Sequence, residues 1–286
     1  MRLTRKWKPK KRKKRRNNIE YINTPPNSRA YKCGKVSEVY MVTAVIFAGG
    51  VGARMKSVET PKQFLEVDGK PIIIRTLENF QYHSGVDNIV ISCLADWIDT
   101  LWEKIRKYNI TKVLKVVPGG ANGHGSIHNG LVAAQEYAKN DDDIVLICDG
   151  VRPLLSEELI TNCIATAKKY ETAVPVTKSI DSVLESKDGE TCNHSLPRGE
   201  MFITQAPQGY TMRKIMWAHD EAEKRGITNP ISSSELLIEL GEKVQIFIGD
   251  RDNIKVTTPE DMRFLRAYYY YRRYENFARE ELAYGL

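Results

Sequence analysis

The sequence predicts an α/β fold: a mainly parallel sheet with helices on both faces and a protruding β-arm. Three observations carry this. Short apolar, β-branched runs recur at 42–47, 88–93, 112–117, 143–148 and 172–177; helix-like patterns near 71–82, 95–108, 126–139 and 156–170 lie between them; and residues 180–205 break the rhythm. Regular alternation of this kind stacks parallel strands and uses the helices as crossovers.

Taken in order, the first run, VTAVIFA, ends in the glycine turn Ala48-Gly49-Gly50 and continues as VGARMKSVETPKQFL to residue 65. Without Cβ atoms, such a turn brings backbone N–H groups close to an anion. Arg54 and Lys62 add fixed positive charge within a dozen residues. The spacing is neither GxxxxGK[ST] nor GxGxxG, which disfavours a kinase or a dehydrogenase. For the glycines alone, a tight strand-to-loop connection remains an equal reading. The strand-like FLEVDG and the helix PIIIRTLENF follow, then the strand at 88–93, the helix at 95–108 and the strand at 112–117.

GGANGHGS (119–126) follows that third strand, and CDGVRP (148–153) follows the fourth. In Rossmann-like sheets ligands gather at the carboxyl ends of strands, so these loops and the first glycine turn are expected to converge on one cleft. Ser126 is placed to N-cap helix 126–139. Residues 180–205 read as an extended β excursion turning at Asp188-Gly189. Helices at 211–225 and 233–240, the strand KVQIFIGD, a short strand NIKVT and a long helix opened by Thr258-Pro259-Glu260-Asp261 complete the chain.

The 286 residues suffice for one principal domain. Residues 1–40 hold 14 Lys/Arg against 2 acidic residues, a balance of +12, and residues 41–286 hold 29 against 34, or −5. The first segment is therefore expected to be a basic, disordered extension, and 41–286 the folded domain. Two readings of the extension stand. It is a polyelectrolyte arm for nucleic acid or an anionic membrane face, with Trp7 as a stacking residue, or Met41 is the natural start. An acidic body is not a nucleic-acid surface. No apolar run is long enough for a membrane span and no signal peptide is evident, so a cytoplasmic location and no membrane partner are expected. Five scattered cysteines without CxxC spacing indicate reduced thiols rather than a disulfide framework or a zinc site.

AGGVGARM, PKQFLEVDGKPII, GG with SIHNGL, DGVRP, QAPQGY and DNIKVTTPEDM stand in one collinear order between residue 42 and about 267. Together they resemble the cytidylyltransferases that make CDP-activated polyols, the methylerythritol-phosphate and ribitol-phosphate enzymes. The resemblance implies transfer of CMP from CTP to a polyol phosphate, with Mg²⁺ as cofactor and pyrophosphate as the second product. It implies catalytic roles for Arg54, Lys62 and Lys255, and CTP binding by Ala48, Gly49, Gly50, Gly52, Gly119, Gly120, Ala121 and Ser126. Asp149, Arg152, Arg198 and Gln205 would bind the polyol phosphate, and Asp149 with Asp252 would face the metal. A homodimer formed through the β-arm is implied, with Arg198 reaching the neighbour's substrate.

Departures from the family pattern are informative. Cys148 stands where histidine usually precedes the aspartate, and Gly123-His124-Gly125 replaces a loop arginine that His124 would partly replace. Ala206 stands where the methylerythritol enzyme has threonine, and Ile231-Ser232-Ser233-Ser234 where it has Thr-Asp. The last two are expected on polyol-facing positions, which favours D-ribitol 5-phosphate, feeding a cell-surface or capsular polymer. The alternative is 2-C-methyl-D-erythritol 4-phosphate of isoprenoid synthesis; a different class of reading is a nucleic-acid-binding protein acting through the basic extension.

Overall fold

Val42–Ala48 form strand β1, whose seven residues are buried but for a partly covered Phe47. A run this apolar has no solvent face and fits only the middle of a sheet covered on both sides. The computed structural model describes residues 40–50, 60–228 and 230–284, with side chains to 274. Arg54 and Gly52 lie outside the described residues, as does the basic extension up to residue 39.

After β1 come a small ribbon of β2 (Glu66–Val67) and β3 (Lys70–Pro71), helix α1 (Ile72–Gln81) and strand β4 (Asn88–Cys93). Helix α2 (Ile98–Lys107), strand β5 (Val113–Pro118), helix α3 (Gly123–Gln135), strand β6 (Ile144–Asp149), helix α4 (Glu157–Tyr170) and strand β7 (Thr172–Lys178) follow. The arm contains the hairpin β8 (Val183–Glu185) and β9 (His194–Leu196), and returns as β10 (Phe202–Thr204) against β7. Its residues Ile180, Leu184 and Ile203 are exposed. Strand β11 (Gln208–Thr211), helices α5 (Met212–Arg225) and α6 (Ser233–Glu239), strand β12 (Ile246–Ile248) and helix α7 (Pro259–Tyr284) complete the described chain.

The main sheet runs β10-β7-β11-β6-β1-β4-β5, with β12 joined to β7. The pairs β1·β4, β1·β6, β4·β5 and β7·β12 are parallel, and β11 is antiparallel to both its neighbours. Side chains alternate across the sheet. Ala44 and Ile46 pack with Ile73, Leu77, Leu101 and Ile160 from α1, α2 and α4. Val45 packs on the opposite face with Leu131, Ile215 and Leu236 from α3, α5 and α6. Truncating Ile46, which is fully buried, would cost about 2–5 kcal/mol through lost transfer energy and a cavity.

Two local expectations are corrected. Helix α3 begins at Gly123 rather than 126 and is capped by Asn122, whose side chain accepts from Gly125 N. Ser126 lies inside the first turn. NIKVT forms no ladder and is tied to the body by Val256 N donating to the Val151 carbonyl at 3.0 Å. The carbonyl of its first residue, Asn253, accepts from Arg152, and its side-chain amide donates to the Ala206 carbonyl. The described cysteines are all unbridged, and no described helix is long and apolar enough to cross a membrane.

Candidate functional site

Parallel pairing aligns Phe47 of β1 with Asp149 of β6, and Cys93 of β4 with Pro118 of β5. The loops leaving β1, β5 and β6 therefore open on the same sheet edge, as the spacing of their glycines predicts. They enclose a cleft of about 440 Å³ lined by Ala48, Gly49, Gly50, Lys62, Gln63, Gly120, Ala121, Asn122, Ser126, Asp149 and Lys255, among others.

One wall is the loop between β5 and α3. Gly119 N donates to the Cys93 carbonyl at 2.7 Å, which continues the β4 edge into the loop. Buried Ser126 then holds the turn from both sides: its Oγ accepts from Gly120 N at 3.1 Å and donates to the Asn122 carbonyl at 2.9 Å. A Cβ on Gly120 would lie 2.5–2.9 Å from Gly125 backbone atoms, and one on Gly49 would lie 2.7 Å from Ser126 Oγ. The β1 turn and this loop thus touch through atoms that leave no room for side chains.

At the floor, Asp149 is only 5% exposed and is bound by two cations. Arg152 Nε donates to its Oδ2 at 2.8 Å, and Lys255 Nζ lies 2.6 Å from its Oδ1. Burial raises the Asp149 pKa, but the charges and hydrogen bonds of Arg152 and Lys255 outweigh it and hold the carboxyl below its usual range. Arg152, itself buried, also donates Nη1 to the Asn253 carbonyl at 3.0 Å. One carboxylate between two cations leaves a net positive floor, to which Lys62 adds from the side. Lys62 Nζ donates to the Val256 carbonyl at 3.1 Å, so the lysine after the β1 turn and the segment carrying Lys255 meet. An arrangement of this sign accepts an anion.

Several expected site residues stand elsewhere. Asp252 is exposed and lines a separate depression with Tyr268, Tyr269 and Arg272 rather than facing Asp149. Both Asp149 oxygens are engaged by cations, and no group of three His, Cys, Asp or Glu among the described residues could hold a metal ion. Asp149 and Asp252 line different depressions and do not converge on one point. His124 is turned from the cleft: its ring stacks on His219 at 4.5 Å, and burial lowers its pKa, so it offers the triphosphate no charge near neutral pH. His219 is pushed down to about 3 by burial and by its neighbours His124 and His128. Gln205 is buried and donates to the Asp250 carbonyl at 2.7 Å, behind the floor. Arg198 is exposed on the arm, away from the cleft lining of its own chain.

The serine run is corrected too. Ser232 caps α6, while Ser233 and Ser234 are buried, with Ser234 bonded to Gln208 through both N and Oγ. Ser233 and Ser234 thus present little surface, whereas Ile231 of the same run is exposed. Sequence reasoning also missed Gln63 and Asn253, both nearly fully buried polar residues that tie the loops together. Their only signal was an amide within a short motif beside apolar residues.

Known proteins resemble this chain in sequence and in fold. The family model for IspD, 2-C-methyl-D-erythritol 4-phosphate cytidylyltransferase, matches residues 42–272. The chain is 41% identical over 229 residues to a ribitol-5-phosphate cytidylyltransferase of Streptococcus agalactiae serotype III, covering 80% of this chain and 95% of that protein. It is 37% identical over 227 residues to one from Vibrio parahaemolyticus, covering 79% and 95%. Among solved structures it is similar to 4-diphosphocytidyl-2C-methyl-D-erythritol synthase of Anaerococcus prevotii, with TM-score 0.68, 27% identity, and coverage of 80% and 96%.

Proposed function

The chain belongs to the IspD cytidylyltransferase family, and on that premise we propose that it transfers CMP from CTP to D-ribitol 5-phosphate, giving CDP-ribitol and pyrophosphate. A phosphate oxygen of the polyol attacks the α-phosphorus of CTP. The new P–O bond forms as the bond to the β-phosphate oxygen breaks, and pyrophosphate leaves with that electron pair. No protein nucleophile takes part. The polyol phosphate is already ionised, so the residues' work is to align two anions and to offset charge in the transition state.

In this reading the Ala48–Gly50 turn and Gly119–Ala121 hold the nucleotide, while Lys62, with Arg54 by family resemblance, faces the α-phosphoryl group. Lys255 meets the polyol phosphate while Asp149 holds its ammonium in place, and Arg152 keeps Asp149 ionised and oriented. Mg²⁺, when bound, would supply a hard counter-charge to the phosphates. The exposed apolar arm and Arg198 support a homodimer in which Arg198 reaches the neighbour's polyol phosphate. The reaction belongs in the cytoplasm, where CTP is available.

The observation that carries this is the buried Asp149 clamped between Arg152 and Lys255 at the floor of a glycine-walled cleft; identity to the ribitol-5-phosphate enzymes favours the alcohol. Pyrophosphate release is to be measured with CTP, UTP and ATP against D-ribitol 5-phosphate and 2-C-methyl-D-erythritol 4-phosphate. Turnover with CTP and the ribitol ester is expected. Turnover with the methylerythritol ester alone, as the family model's description would suggest, replaces the alcohol and keeps the class.

A further inference from the structure

Gln63 is 1% exposed and stands in a short 3-10 turn, Lys62–Phe64, directly beneath the β1 glycine turn. Its amide nitrogen donates to the Ala48 carbonyl at 2.7 Å and to the Gly50 carbonyl at 3.2 Å. A carboxamide nitrogen has two hydrogens, and both are spent on the two carbonyls that bracket Gly49. The position of Gln63 is itself fixed, because the next residue, Phe64, is anchored in the core and packs on Trp97 with ring centroids 4.6 Å apart.

Two consequences follow for an anion above the turn. Carbonyl oxygens carry partial negative charge, and any left pointing into the cleft would repel a triphosphate; a donor beneath them turns those lone pairs away. In a trans peptide the carbonyl and the next N–H lie on opposite sides of the unit, so holding the Ala48 carbonyl also sets the direction of the Gly49 N–H. Two consecutive glycines supply little stiffness of their own. We propose that Gln63 is a positioning residue that orients the peptide units of the phosphate-binding turn. This rests on the cytidylyltransferase reading and adds to it a residue that need not touch CTP.

The test compares wild type with Gln63→Ala, Gln63→Asn and the isosteric Gln63→Glu. It reads kcat/KM for CTP, CTP affinity by calorimetry, Tm, and the pH profile of the activity ratio to wild type. Gln63→Ala and Gln63→Glu are expected to lose roughly 10- to 100-fold in kcat/KM, the scale of a small misplacement of reacting groups; Gln63→Asn, which keeps the amide, recovers part. The Gln63→Glu carboxylate meets two acceptors and is buried, so its pKa is raised. On going from about pH 8 to about pH 6 it protonates and regains one donor, and its ratio to wild type should climb. Wild-type kcat/KM in Gln63→Ala overturns the proposal. So does an activity loss that follows Tm alone with a flat Gln63→Glu ratio. A wild-type chain that neither binds nor turns over CTP removes the functional reading and this inference together, whereas an active wild type with indifferent variants removes only the inference.

Discussion

Replacing Arg152 by alanine should destabilise the fold in a pH-dependent way. Asp149 is 5% and Arg152 8% exposed, and the arginine supplies one of the two cations on that carboxylate together with a bond to the Asn253 carbonyl. Removing one partner of a buried pair typically costs about 3–5 kcal/mol, equivalent in a domain of this size to a Tm fall of roughly 6–20 °C. In the wild type the folded Asp149 pKa lies below the ordinary value of 3.8. Its contribution is therefore fully present above that value and lost as pH falls through the folded pKa. In Arg152→Ala burial, the largest influence, acts with less opposition and the folded pKa rises. The charged carboxylate then costs stability at neutral pH, and the cost is relieved as pH falls through the raised pKa. The gap between the two proteins, read by urea denaturation, should be widest near neutral pH and narrow as the pH falls through the raised pKa. The double change Asp149→Asn with Arg152→Met should recover part of the loss. Lys255→Met, at a side chain 42% exposed, should cost less than Arg152→Ala, because water reaches the lysine, while abolishing most turnover. An Arg152→Ala protein within about 1 kcal/mol of wild type at pH 7, or a gap independent of pH, would refute the reasoning.

Gly120→Ala should be more damaging than Gly49→Ala, because its Cβ meets Gly125 backbone whereas the other meets a serine hydroxyl; overpacking of about 1–3 kcal/mol is expected for the first, and Ser126→Ala should partly relieve the second, both read from Tm and CTP affinity. Ser126→Ala alone removes the acceptor for Gly120 N. It should lower stability by about 1–2 kcal/mol and raise the KM for CTP more than it lowers kcat, in steady-state assays of pyrophosphate release.

Much of the sheet was legible because buried parallel strands are continuous apolar runs, and 42–47, 88–93 and 143–148 return as β1, β4 and β6 within a residue or so. The convergence of three glycine loops was legible for the same reason, since parallel strands put their carboxyl ends together. NIKVT misled because its β-branched composition suits a strand, yet Asn253 and Val256 are held by Arg152, Ala206 and Val151 rather than by a neighbouring strand. Ser126 looked like a cap because it opens the apolar pattern of α3, while Asn122, four residues earlier, takes that role. The departures at Ser232–Ser234 could not be assigned to a ligand or to the core without knowing that Gln208 lies against them. Asp252 was hard to place for a similar reason: only two residues separate it from Lys255, but the two line different depressions.

CMP transfer by this chain can be followed on the phosphorus nuclei of CTP by ³¹P NMR with D-ribitol 5-phosphate present. The CTP and ribitol phosphate signals should decay together into a CDP-alcohol diphosphate pair and pyrophosphate in equal amounts, and Lys62→Met with Lys255→Met should stop the exchange. Signals of orthophosphate and CDP, or a CTP spectrum unchanged by every polyol phosphate offered, would contradict CMP transfer.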